Sequence, residues 1–342
     1  MIGMAPTCLA RIDELVGYFE TVGGNLHALN GVTIPIEEGK VTGLVGETGS
    51  GKTIAALSLL RLWPNNFRYV SGSVSFRDVD VLALRNEELR RYRGHKVSIA
   101  FQDPKASLNP LFTVGEQLGR VLRQHAPVSK EEAAAAVVDV LERVQIADPA
   151  GTAQLYAHEL SGGMAQRVMI AMSVIYHPQL VILDEPTTGL DVTVQAEVIA
   201  MLRDLVEGSG MTVLLITHDL GVVGELCDKV AVMYAGHVME YGDIADVFEH
   251  PSNPYTRELL RATESVEGGV GDLYSIPGSV PDLRHVPPGC LFRARCPSAA
   301  QECFEMPASI EVSAGHWSTC HFAAGFQRRE TPVQLHGIRS TG

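Results

Sequence analysis

The octet Gly46-Glu47-Thr48-Gly49-Ser50-Gly51-Lys52-Thr53 constrains this chain more than any other stretch. It leaves the apolar run Val41-Thr42-Gly43-Leu44-Val45 and satisfies the pattern G-x-x-x-x-G-K-[ST] at every fixed position. Glycines at these positions let backbone N–H groups curl around phosphate oxygens, the lysine reaches the terminal phosphates, and the hydroxyl coordinates magnesium. A helix predicted over about residues 52–62 would aim the positive end of its dipole at the same anion. A glycine-rich turn that binds nothing matches the pattern by accident in roughly one chain per hundred. Here the rest of the sequence supplies, in order, the other parts that a phosphoryl-transfer site needs.

With 342 residues, 46% of them apolar, the chain can bury a substantial core, organised as one large composite domain and a smaller one. No apolar run approaches the ~18–20 residues of a membrane span. The N-terminus lacks a basic region followed by an apolar segment, so the expectation is a soluble chain that is neither inserted nor secreted. A net charge of -13 argues against nucleic acid as a partner held by a broad electrostatic surface.

Hydrophobic periodicity gives an α/β chain. Residues 11–40 alternate and read as short antiparallel strands around the turn Val22-Gly23-Gly24-Asn25. An edge strand is predicted over residues 71–76 and a buried one over 96–101. From Gln102 to about Leu160 the pattern becomes helical, with Ser129 and Glu132 forming a capping box. Strands return at residues 180–183 and 212–216, separated by a helix over 194–205, which is the alternation of a parallel sheet. Beyond Met233 a hairpin, a short helix near residues 255–261 and a Pro- and Gly-rich tail of little periodicity follow.

The strand Leu180-Val181-Ile182-Leu183-Asp184-Glu185 ends in two carboxylates at the sheet edge where ligands bind. Asp184 is placed to hold magnesium and Glu185 to polarise the attacking water, since phosphoryl transfer needs an oriented nucleophile more than covalent help. The alternative is that both acids cap the next helix. Ser161-Gly162-Gly163-Met164 opens a further predicted helix with amides and a hydroxyl turned toward an anion.

The ordered set of phosphate loop, Gln102, Leu160-Ser161-Gly162-Gly163-Met164, Asp184-Glu185, Gly189-Leu190-Asp191 and Thr217-His218-Asp219 resembles an ABC-transporter ATPase. The resemblance implies a RecA-like parallel sheet core with an antiparallel β subdomain and a helical insertion. It covers residues 10–250 as the nucleotide-binding domain, with the helical subdomain at about 102–165. ATP with Mg2+ would be the cofactor. Thr53, Gln102 and Asp184 would face the metal, Gln102 would couple it to a membrane partner, and His218 would contact the γ-phosphate and hold Glu185 with its water. Phe19 matches the aromatic that stacks on adenine, with Tyr18 its rival; Asp191 would lie at a dimer interface. Ser161, Gly162, Gly163 and Met164 would close over nucleotide on a second subunit.

Residues 251–342 resemble the extension of dipeptide, oligopeptide and nickel importers, through His250-Pro251-Ser252-Asn253-Pro254-Tyr255 and the Gly289-Cys290-Leu291-Phe292, Arg295-Cys296-Pro297 and Cys320-His321 segments. Met164 in place of Gln resembles the D-type subunit, whose usual partner is an F-type ATPase. The whole would sit peripherally on the cytoplasmic face of the cell membrane against two permease subunits, fed indirectly by an extracytoplasmic binding protein. The segment holding Asn109, Pro110 and Leu111 would face the permease. Cys290, Cys296, Cys303 and Cys320 are spaced C-x5-C-x6-C-x16-C, irregular for zinc knuckles, in a loop-rich stretch with a weak core. Four thiolates suit a [4Fe-4S] cluster or one Zn2+; the resemblance points to iron–sulfur, His316 and His321 keep zinc open, and reduced structural cysteines are the plain alternative. Other readings are a nickel or small-solute importer, a soluble ABC ATPase acting on DNA or ribosomes, and an ATPase whose cysteine tail senses iron or redox state.

Overall fold

The structure is a computed structural model that describes residues 8–267 and 274–326. Its strands, in chain order, begin with β1 (Cys8–Thr21), β2 (Gly24–Glu37), β3 (Val41–Val45), β4 (Phe67–Phe76), β5 (Val79–Asp80) and β6 (Val97–Ala100). They continue with β7 (Leu180–Asp184), β8 (Thr212–Ile216), β9 (Lys229–Tyr234), β10 (His237–Asp243), β11 (Ser309–Ser313) and β12 (His316–Thr319). Among the described residues, those up to Glu37, Val41–Leu82 and those from Thr217 onward form one compact unit, and Glu38–Lys40 with Ala83–Ile216 form another.

Within the first unit, β1 and β2 are longer than the short strands expected and close on the turn at Val22-Gly23. They belong to the antiparallel sheet β2-β1-β4-β5. Leu9, Ile12, Leu15, Leu29, Val32, Ile34 and Ile36 are buried from its strands. A second sheet runs β11-β12-β10-β9-β3, in which β3 and β9 are parallel and the remaining pairs antiparallel. All five residues of β3 are buried, as a parallel strand covered on both faces requires.

In the second unit, β6, β7 and β8 are parallel in the order β8-β7-β6. The buried runs read in the sequence over 180–183 and 212–216 are its two fully buried strands. Between β6 and β7 lie the helices Val114–His125, Lys130–Arg143 and Gly162–Val174. The predicted capping box forms: Ser129 Oγ accepts the Glu132 N–H at 3.1 Å and Glu132 accepts the Ser129 N–H at 2.8 Å.

Three boundaries moved. The loop helix ends at Ser58, because Arg61 turns left-handed (φ 48°) and the Leu62 N–H closes on the Leu57 carbonyl ahead of Pro64. The helix expected over 194–205 runs Val192–Ser209, from an Asp191 cap to a left-handed Gly210 (φ 62°). The tail, expected to have little periodicity, contains β11 and β12, a hairpin turning at Gly315 (φ 74°).

Candidate nucleotide site

The phosphate loop follows β3 and turns through three left-handed glycines, Gly46 (φ 143°), Gly49 (φ 81°) and Gly51 (φ 99°). A side chain is excluded by space as well as by φ. A Cβ on Gly46 would lie 2.0 Å from the Met233 carbonyl oxygen, and one on Gly51 2.5 Å from that of Ala28. Backbone alone can line this turn, which is what an anion cradle needs. Thr48 and Gly49 are exposed at its rim, whereas Ser50 is buried and its Oγ has no hydrogen-bond partner. An orphaned buried hydroxyl costs free energy until something accepts or donates to it. A phosphate oxygen fits that requirement.

Lys52 opens the helix Lys52–Ser58 and is 8% exposed. Its Nζ donates to the carbonyls of Gly46 at 2.8 Å and Glu47 at 3.2 Å. The ammonium is thereby held over the loop it must serve. Thr53 is exposed one residue on, a hard oxygen donor of the kind Mg2+ takes. The remaining loop residue, Glu47, faces elsewhere: its carboxylate pairs with Arg295 and its N–H donates to the Tyr255 hydroxyl at 3.1 Å. The sequence offered no signal for this, since the partners lie 248 and 208 residues away.

In the same unit Phe19 is half-buried near the end of β1, edge-on to Phe67 with centroids 5.2 Å apart, and Tyr18 tilts against His27 at 5.8 Å. His218 is exposed just after Thr217, whose N–H donates to the Leu44 carbonyl at 3.3 Å.

In the second unit, Asp184 ends β7 and is 4% exposed. Glu185 follows with φ 52°, a left-handed conformation that costs a non-glycine residue about 1 kcal/mol or more. Its N–H donates to the Ile216 carbonyl at 2.9 Å and its Oε2 accepts from the Thr188 hydroxyl at 2.7 Å. Thr188 thus orients the carboxylate, while the Ile216 carbonyl holds the backbone that carries it. Asp191, not this acid pair, caps the next helix, its Oδ1 accepting the Val194 N–H at 3.0 Å.

Gln102 is exposed after β6, immediately before Asp103 caps the short helix Pro104–Ser107. Beyond it Leu111 is 79% exposed, on a turn held by Asn109, which accepts the Leu111 N–H through Oδ1 and is itself gripped by Gln117. Ser161 and Gly162 are exposed at the start of the helix Gly162–Val174, with Ser161 Oγ accepting the Met164 N–H at 3.2 Å. Gly163 packs so closely that a Cβ would meet Val194 Cγ1 at 2.6 Å.

Cys290, Cys296, Cys303 and Cys320 line one small cavity together with His321. Burial pushes the Cys296 thiol up to about 11 and raises those of Cys290 and Cys320, so these groups are protonated at neutral pH and metal binding would release protons. Among the described residues no three His, Cys, Asp or Glu side chains converge as a ligand set for a metal ion. The expected metal site is therefore not preassembled: local turns hold the cysteines, as where the Cys303 N–H donates to the Ala300 carbonyl at 3.1 Å. His316 is not at this cavity at all. Its Nε2 lies 2.8 Å from Glu240 Oε1 in a fully buried pair.

Glu240 also accepts the N–H groups of Ser252 at 2.5 Å and Asn253 at 3.2 Å, and Asn253 Nδ2 donates to the Met239 and Thr319 carbonyls. This network staples the tail to β10.

Comparison with known proteins agrees with this layout. The ABC transporter family matches residues 29–188, and the oligopeptide/dipeptide transporter C-terminal region matches residues 239–303. The chain is 47% identical over 300 residues to the probable D,D-dipeptide transport ATP-binding protein DdpD of Escherichia coli (strain K12), covering 87% of this chain and 91% of that one. To the oligopeptide transport ATP-binding protein OppD of Salmonella typhimurium it is 42% identical over 312 residues, 91% and 93% of the two chains. Among solved structures, the dimeric bacterial ABC transporter cassette MJ0796 superposes with a TM-score of 0.62 at 25% identity, over 69% of this chain and 98% of that one. On the cradle, the strand-end acids and relatives that span nearly its whole length, this chain belongs to the ATP-binding subunits of ABC transporters, in the branch that carries the oligopeptide/dipeptide transporter C-terminal region.

Proposed function

We propose that this chain is the D-type ATP-hydrolysing subunit of a di- or oligopeptide importer, peripheral at the cytoplasmic face of the membrane and docked on two permease subunits. Its cassette spans residues 10–250 and its importer-type extension 251–342. The observation that carries the reading is the glycine cradle around the orphaned Ser50 hydroxyl, together with a helix start at Ser161 that faces solvent. No helix among the described residues is long and apolar enough to cross a membrane. In this reading the exposed turn around Leu111 is the surface offered to a permease. An F-type ATPase is the expected second subunit.

In this reading Phe19 would stack on adenine, the loop amides and Lys52 would hold the phosphates, and Thr53, Gln102 and Asp184 would hold the metal. Mg2+, when bound, neutralises phosphate charge. Glu185, already oriented by Thr188, aligns the attacking water, and His218 keeps both in register with the γ-phosphate. Ser161 to Met164 complete the partner's nucleotide site, with Asp191 at the same interface, so hydrolysis waits on dimer closure. In the assembled transporter, Glu185→Gln should retain ATP binding and lose hydrolysis by a factor on the order of 100 or more; turnover at the wild-type rate would remove Glu185 from this role.

A [4Fe-4S] cluster as a staple for the tail, with Zn2+ as the alternative, rests on the cavity the four thiols share; as they do not converge, they would have to close in when the group binds. Anaerobically purified protein should then absorb near roughly 400 nm and contain iron and sulfide, and Cys296→Ser should bleach it. A colourless protein carrying zinc or no metal refutes the cluster.

A further inference from the structure

The second residue of the phosphate loop is held from 248 residues away. Arg295 meets Glu47 in a fork, Nη1 to Oε2 at 2.7 Å and Nη2 to Oε1 at 2.9 Å. Such bidentate, charge-assisted pairs are the strong class of hydrogen bond. The Arg295 side chain is only 6% exposed and Glu47 25%, so water screens the pair weakly.

The guanidinium is fixed before Glu47 uses it. Its Nε donates to the Pro277 carbonyl at 3.0 Å, Nη2 also to Ile276 at 3.2 Å, and Nη1 to the Tyr234 hydroxyl at 3.3 Å. The Glu47 N–H is taken by Tyr255, which packs edge-on to Phe292 at 5.2 Å and against Tyr234 at 4.7 Å. The carboxylate and the N–H of Glu47 therefore both belong to the region 234–295, while its carbonyl accepts the Ser50 N–H at 3.1 Å and Lys52 Nζ at 3.2 Å. The loop's left-handed glycines have the widest conformational freedom of any residue, so the grip on Glu47 adds to the bonds that Lys52 and Ser50 make within the loop. Whatever pins Glu47 sets the direction in which the following amides point. Cys296 follows Arg295 directly and its thiol lines the cysteine cavity.

Building on the nucleotide-site reading above, we propose that Arg295 is a positioning residue of that site: through Glu47, the cysteine-bearing tail sets the phosphate loop, and nucleotide affinity falls when this hold is released. The test is ATP binding by calorimetry on the full chain, with KM and kcat measured in the assembled transporter. Arg295→Met and Glu47→Gln should each raise the Kd for ATP about tenfold, the double variant should lose no more than the weaker-binding single, and Arg295→Lys should recover part of the loss. The change should fall on KM more than on kcat. Glu47→Gln leaves Arg295 its bonds to Pro277 and Ile276, so it carries the test if Arg295→Met does not fold. Folded variants that bind ATP like wild type, or a double variant whose loss is the product of the two singles, overturn the proposal. Wild-type protein that binds no ATP overturns the nucleotide-site reading with it.

Discussion

At Gly51 the helix Lys52–Ser58 starts from a left-handed glycine with no side-chain cap, whereas at Ser161 the helix Gly162–Val174 starts from an extended serine that caps its own Met164 amide. The first start lies in a turn where a Cβ would strike backbone, next to a buried, unpartnered hydroxyl and a nearly buried lysine. The second is exposed, and its tight contact is a half-buried one, Val194 against Gly163. Both are glycine-rich helix N-termini with the same dipole. An uncapped, enclosed start has amides to give and a cation to neutralise charge, which makes a binding site by itself. A self-capped, exposed start suits an edge that meets a ligand held elsewhere.

The comparison can be broken at either end. Lys52→Ala removes the cation over the cradle and should abolish measurable ATP binding by the isolated chain, a loss of at least 100-fold by calorimetry, because a charged group bonded to phosphate contributes far more than a neutral donor. Retained affinity would mean that the loop is not the primary site. Ser161→Arg should leave the isolated chain's affinity for ATP within about twofold while lowering hydrolysis by the assembled transporter roughly tenfold or more, since in the proposed dimer a bulky cation would stand where the partner's nucleotide docks. Equal losses of binding in the isolated chain from both substitutions would erase the distinction between cradle and edge.

Much of this site was legible because its geometry is local. The glycines of the loop, the Ser129–Glu132 box, the fully buried five-residue strands and the strand-end acids all express spacing rules that act over a few residues. The hairpin over residues 309–319 is a miss: Ser309 to Ser313 alternate and Gly315 supplies a turn, but the surrounding prolines obscure so short a signal. The quiet assignment of Asp184 and Glu185 to helix capping fails on the structure, where Asp191 takes that duty.

The alternation of β and α segments, the phosphate loop, the helix caps and the strands that end at Asp184 and Ile216 were determined by the sequence alone, because backbone sterics, hydrogen-bond reach and hydrophobic period operate between near neighbours. Tertiary structure decided that Glu47 answers to Arg295 and Tyr255, that His316 serves Glu240 and not a metal, and that four thiols share a cavity without converging on an ion. These are pairings between residues tens to hundreds of positions apart, and no spacing rule encodes which distant group a folded chain will bring to a buried charge.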